Sequence, residues 1–241
     1  MPGMKSSKPF HFPKSRPLQL KELPDVYRRL HRVFGHQAWW PAETAFEVMV
    51  GAVLTQSAAW INVEKAILNL KRASKLTPDS MNRLPPARLA QLIRPAGYFN
   101  VKAGRLKHLV KFIFSQYGGD LKKMFAEDGE TLRHKLLGVK GIGKETADSI
   151  LLYAAGKPFF VVDAYTKRVF IRHRLQISKG RFSLKNLQGL EYDQWRSLFE
   201  KNIPAKADLY NDFHAQIVML AKNFCKSSKV DCQNCPLSKY L

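Results

Sequence analysis

Apolar residues recur three and four positions apart along most of the chain, in "PDVYRRLHRVFG", "ETAFEVMVGAVLTQ", "INVEKAILNLKRA", "ARLAQLI" and "VKAGRLKHLVKFIFSQYG". That is the spacing of a single helix face. Alternating runs that would predict strands are nearly absent. Breakers separate the helical runs, with "TPDS" at 77–80, "LPP" at 84–86, "RPAG" at 94–97 and "YGGD" at 117–120, so the connections are short. The pattern predicts an all-α protein of many short helices. After residue 170 it predicts a polar loop around "SKGRFS", a helix over "YDQWRSLFEKNI" and a last apolar helix, "ADLYNDFHAQIVMLAKNF", that runs into a cysteine tail. No repeat of fixed period is present, and low complexity is confined to the N-terminal tail.

Composition adds a partner class. The 241 residues, 45% of them hydrophobic, suffice for a real core. Lys and Arg number 40 against 19 Asp and Glu, a net charge of +21 spread over the whole length. Such a surface seeks a polyanion, and nucleic acid leads, because phosphate contacts release counterions. The alternative is a protein that is merely basic. No apolar run is long enough to predict a membrane-spanning helix. The N-terminal "MPGMKSSKPFHFPKSRP" is basic and proline-rich without a signal-peptide core. It predicts a disordered tail over residues 1–22 of a cytoplasmic protein, with a DNA-touching arm or a targeting segment as alternatives. All three cysteines lie in the last 17 residues, which argues against a disulfide framework.

In "VKGIGKETADSI", Gly141 and Gly143 flank Ile142, and helical spacing starts at once through Thr146, Ala147 and Ile150. Glycines allow a left-handed turn and close backbone approach, and a helix start offers N–H groups to an anion. By itself the pattern could be only a tight turn. The apolar flank "LRHKLLGV" predicts a second helix packed on the first through Leu136, Val139, Ala147 and Ile150. Asp163, between "FFVV" and "AYTKRVF", predicts a helix N-cap, and a cap requires no chemistry. Trp39, Trp40 and Phe46 concentrate aromatic surface before the first long apolar helix, suited either to a flipped base or to interdomain packing.

These motifs, taken in order as "GAVLTQSAAWINVEKA", "IRPAGYFNVKAGRLK", "LLGVKGIGKETADSIL", "VVDAYTKRVF" and "CKSSKVDCQNC", resemble the helix-hairpin-helix DNA glycosylases typified by endonuclease III, from about residue 25 onward. The resemblance implies two helical lobes, one of six helices over 43–157 and one combining 23–42 with 158–241. It implies that Gly141, Ile142, Gly143 and Lys144 hold a DNA backbone, and that Asp163 is catalytic. Bifunctional members carry a lysine two residues after the second glycine, where this chain has Glu145. Lys144 is one residue off, about 100° round the helix, so the resemblance implies a monofunctional enzyme without efficient lyase activity. Glu145 is expected either to line the base pocket or to be a first-turn acid.

"WWP" together with Glu145 is similar to the 3-methyladenine glycosylases of the superfamily, which implies a base pocket of Trp39, Trp40, Phe46 and Glu145. An alkylated purine is cationic and gains from aromatic faces. Gln56 matches a position where members insert a polar side chain into the gap left by the flipped nucleotide, with a polar helix-end residue as the competing reading. His214 and Gln216, on the "DFHAQIV" helix, are placed either to face the pocket from the other side or to serve the packing, the commoner role for a lone His on a mixed helix. Cys225, Cys232 and Cys235 have the C-x6-C-x2-C spacing of the family's [4Fe-4S] loop, but the fourth ligand would fall at Leu241. Either a three-thiolate cluster or a degenerate loop follows. The expected function is base-excision repair of an alkylated purine, against a glycosylase for another lesion or a non-catalytic DNA-binding protein.

Overall fold

The helical spacing of the sequence is realised in the computed structural model, which describes residues 18–177 and 187–240. No strand occurs among them, only two isolated bridges. The helices are α1 (Leu23–Phe34), α2 (Ala45–Leu54), α3 (Trp60–Arg72), α4 (Pro78–Arg83), α5 (Pro86–Leu92), α6 (Phe99–Tyr117), α7 (Leu121–Ala126), α8 (Gly129–Leu137), α9 (Lys144–Ser149), α10 (Ala164–Arg172), α11 (Tyr192–Glu200) and α12 (Ala207–Asn223). The chain divides into two units, a larger one over 37–162 with 204–214, and a smaller one from the remaining segments. The divisions fall after His36 and Val162 rather than at the 42/43 and 157/158 steps of the sequence reading, and α12 starts in one unit and ends in the other.

In the larger unit α2 is the central element. Every residue from Phe46 to Leu54 is buried, because α3, α6 and α9 all pack on it. Caps set the helix starts: Thr44 Oγ1 accepts from Glu47 N at 3.1 Å, and Asp120 and Asp128 accept from Lys122 N at 2.8 Å and Thr131 N at 3.0 Å. The breakers read from the sequence end the helices; Gly118, at φ +63°, closes α6. One lysine is fully interior. Lys102 Nζ donates to Leu54 O at 2.9 Å and Ala96 O at 2.7 Å, tying the C-terminus of α2 to the short 3₁₀ turn Arg94–Ala96. Burial, reinforced by the Arg105 charge, pushes its pKa down.

The smaller unit corrects the expected tail. Residues 18–22 are ordered rather than disordered: Leu18 is fully buried, its N–H donates to His173 O at 3.3 Å, and its carbonyl accepts from Gln176 N at 2.8 Å. Residues 1–17 and the predicted "SKGRFS" loop lie outside the described residues. Phe170 of α10 meets Phe199 of α11 edge-on at 5.0 Å between ring centroids. The C-terminal loop is tied to α1 through Asp25, which accepts from Tyr240 Oη at 2.6 Å and Lys239 Nζ at 2.7 Å.

Candidate functional site

Within the larger unit the hairpin is built as its sequence predicts. Helix α8 ends at Gly138, Val139 O accepts from Ile142 N at 3.0 Å, and Gly143 is the extended N-cap of α9. Gly141 has φ +94°, and a Cβ there would lie 2.3 Å from Arg105 Cγ. Glycine is therefore required twice over, by conformation and by space. Ile142 turns into the core, while Gly143, Lys144 and Glu145 are exposed around the helix start. Asp148 of α9 is fully buried and pairs with Arg133 of α8, through Nε–Oδ1 at 2.6 Å and Nη2–Oδ2 at 3.3 Å. This ion pair joins the two helices that flank the hairpin.

Gln56, just past the end of α2, reaches the same hairpin. Its Nε2 donates to Gly141 O at 3.1 Å and Thr146 Oγ1 at 2.9 Å, and its Oε1 accepts from Arg105. Beside the hairpin lies a recess of about 420 Å³ lined by His108, Lys111, Ser115, Gln116, Lys135 and Lys140, among others. No carboxylate lines it. Lys135 is engaged with Glu127, whereas Lys111 and Lys140 extend into solvent.

An aromatic cluster forms elsewhere in the same unit. Ring centroids of Trp39 and Trp40 are 5.9 Å apart, Trp39 and Trp60 6.2 Å, Trp40 and Trp60 5.3 Å, and Trp40 and Tyr153 5.3 Å. Trp60 opens α3 and Tyr153 lies on the π turn Ile150–Ala154 that continues α9. A recess of about 160 Å³ opens against Trp40 and Trp60, with Glu47, Glu64 and Lys71 also in its wall. Glu64 Oε1 accepts from Trp60 Nε1 at 2.7 Å, and Glu47 pairs with Lys71 at 2.9 Å. Gly51 makes room, since a Cβ on it would meet Trp40 at 3.1 Å.

Phe46 does not join the tryptophans as expected; it is 3% exposed in the α2 core. Its place in the aromatic group is taken by Trp60 and Tyr153, which the sequence reading did not select. The available signal for Trp60 was a tryptophan at a helix start, after the "LTQSA" motif. His214 is buried and its Nδ1 lies 2.6 Å from Tyr153 Oη, while Gln216 donates to Gly35 O.

In the smaller unit Asp163 is the N-cap of α10. Its Oδ1 accepts from Thr166 N at 2.7 Å, with the backbone extended at φ −101° and the residue half-buried. The cap fixes the carboxylate on a helix end.

The cysteine loop also lies in this unit. Cys225 Sγ accepts from Arg172 at 3.3 Å and Cys235 Sγ from Leu237 N at 3.4 Å, and burial pushes the Cys235 thiol up to about 12. Leu241, at the fourth position, has no donor side chain. Among the described residues no group of three or more His, Cys, Asp or Glu is gathered as for a metal ion. The donor set does not fit a four-thiolate cluster.

The hairpin, its flanking helices and the capping aspartate coincide with a family model for HhH-GPD superfamily base excision DNA repair proteins, which matches residues 50–185. The chain belongs to this family. As a DNA repair glycosylase of the HhH-GPD superfamily it is 46% identical over 217 residues to a Methanocaldococcus jannaschii protein provisionally named a DNA repair glycosylase, covering 89% of this chain and 93% of that one. Its structure is similar to that of the H. pylori 3-methyladenine DNA glycosylase bound to 1,N6-ethenoadenine, with a TM-score of 0.68 and 30% identity over 85% of this chain and 98% of the other. The endonuclease III fold is shared with an endonuclease III–DNA complex, at a TM-score of 0.72 and 21% identity over 92% and 94% of the two chains. Among the described residues no helix is long and apolar enough to cross a membrane.

Proposed function

We propose that the protein removes alkylated purines, 3-methyladenine foremost, from double-stranded DNA by hydrolysis, acting as a monomer and without efficient strand cleavage. The observation that carries this reading is the tryptophan cluster with carboxylates in the wall of its recess. A purine alkylated at N3 or N7 is a delocalised cation. Aromatic faces attract it by roughly 0.5–2 kcal/mol, and Glu64, the carboxylate of the wall that is not paired with Lys71, adds to that preference over a neutral base. Trp40 and Trp60, which line the recess, receive the flipped base in this account, with Trp39 packed against both, and Glu145 is the exposed first-turn acid of α9. The 30% identical H. pylori 3-methyladenine DNA glycosylase, solved with 1,N6-ethenoadenine bound, supports a damaged adenine as substrate.

In the reaction, water attacks C1′ of the damaged nucleotide as the bond to the base nitrogen breaks and its electron pair leaves with the base. Asp163 stabilises the positive charge that develops on the sugar and accepts the proton of the water. An alkylated base leaves readily, so a single carboxylate suffices. Glu145 cannot form a Schiff base, so hydrolysis ends at an abasic site. Gly141, Ile142, Gly143 and Lys144 hold the backbone, and Lys111 and Lys140 extend the grip. The cysteine loop enters no step.

The test is incubation with methylated duplex DNA, with free bases resolved by chromatography and strands by denaturing gel. Free 3-methyladenine with intact strands, and no borohydride-trapped adduct, is expected. Release of an oxidised or mismatched base from defined duplexes, with no alkylpurine, would shift the reading to another lesion.

A further inference from the structure

We propose that Gln56 is a positioning residue of the hairpin, acting on DNA through Gly141 rather than by filling the gap left by a flipped nucleotide. The proposal rests on the DNA-binding reading of the hairpin given above. Both hydrogens of the Gln56 amide are used, on Gly141 O at 3.1 Å and Thr146 Oγ1 at 2.9 Å, and its oxygen accepts from Arg105. An amide side chain has two donor hydrogens and one acceptor oxygen, so each kind of group is occupied.

The partner peptide explains the need. The carbonyl of Gly141 and the N–H of Ile142 belong to one peptide plane, and that N–H donates to Val139 O at 3.0 Å. Gln56 therefore holds the oxygen end of a plane whose N–H end closes the turn. Gly141, at φ +94°, has no side chain of its own to hold it in the turn. Its position is fixed from outside, by Gln56 on its oxygen and by the Arg105 stem across its α-carbon. Thr146 lies in the first turn of α9 and is 6% exposed, so the same amide joins the turn to the start of α9. Insertion into DNA would require Gln56 to leave three partners on the hairpin, on α9 and on α6, and so to loosen the hairpin at the moment it grips the backbone.

The test measures affinity by fluorescence anisotropy for an undamaged duplex and for the same duplex carrying a tetrahydrofuran abasic analogue. Wild type, Gln56→Ala, Gln56→Glu and Thr146→Val are compared, with thermal melting of each as the check on folding. Positioning predicts that Gln56→Ala and Gln56→Glu weaken both duplexes by the same factor, about fivefold to tenfold. Thr146→Val, which leaves Gln56 in place, should reproduce part of that loss on both. Gap filling predicts a loss confined to the abasic duplex and a Thr146→Val variant that binds like wild type. Either that pattern or no loss on either duplex would overturn the proposal. Failure of the glycosylase reading would appear separately, as wild-type protein that binds duplex DNA but releases no base.

Discussion

Arg133 of α8 reaches both carboxylate oxygens of Asp148 of α9, one at 2.6 Å and one at 3.3 Å, and the carboxylate has no solvent exposure. Removing one partner of a buried ion pair costs about 3–5 kcal/mol. Arg133→Met and Asp148→Ala are each expected to lower stability by about that amount, measured by chemical denaturation. The double substitution is expected to cost less than the sum of the two. Because the pair spans the hairpin, both single variants should also weaken duplex binding.

The acid limb of stability is expected to depend on Asp25. Hydrogen bonds from Lys239, then Tyr240, hold its carboxyl well below the usual carboxylate range; burial opposes them, and the Arg29 hydrogen bond adds a smaller lowering. The folded state therefore releases this proton more readily than the unfolded chain. The stabilisation is complete above about pH 5 and is lost progressively as pH falls below about 4. Denaturation curves across that range should show a shallower acid loss for Asp25→Asn than for wild type, from a lower plateau at neutral pH. Curves that stay parallel would contradict this assignment.

Base capture is expected to depend on Trp60 as much as on Trp40, the two tryptophans that line the recess. Loss of one aromatic face removes roughly 0.5–2 kcal/mol of cation–π attraction, a factor of about 2 to 30. Trp60→Leu should reduce single-turnover release of 3-methyladenine by about that factor, with a smaller effect on any neutral base. Phe46→Leu should change melting temperature and leave the preference between charged and neutral bases unaltered, since its ring belongs to the α2 core.

The basic recess is expected to set the salt response. Each phosphate contact adds about 0.9 to the slope of log K against log salt. Lys111→Gln and Lys140→Gln should each reduce that slope by about 0.9 on damaged and undamaged duplexes alike. A loss of affinity with unchanged slope would place those lysines off the backbone.

How far the sequence was legible depended on whether the signal was local. Helix spacing, breakers, the glycine pair and the Asp163 cap are set within a few residues, and all of them reappear in the structure. Phe46 was misplaced because proximity to Trp40 in sequence is not proximity in space; α2 is buried on every face, so an aromatic at its start becomes core. Trp60 and Tyr153 reach the tryptophans from α3 and from the π turn, over separations that no periodicity reports. Lys102 reads as one more basic residue on a mixed helix, and only the carbonyls of Leu54 and Ala96 make it an interior cap. Leu18 reads as part of a polar tail until its backbone is seen paired with His173 and Gln176.

The measurement that tests the account most directly is single-turnover release of 3-methyladenine from methylated duplex DNA, by wild type beside Asp163→Asn, with duplex affinity and melting measured on both. Asparagine caps helices as well as aspartate, so α10 and DNA binding should be kept while the carboxylate charge is lost. The account predicts release by wild type and a reduction of about 10²-fold or more in the variant. Equal release by both, or tight binding by wild type with no alkylpurine released, would contradict it.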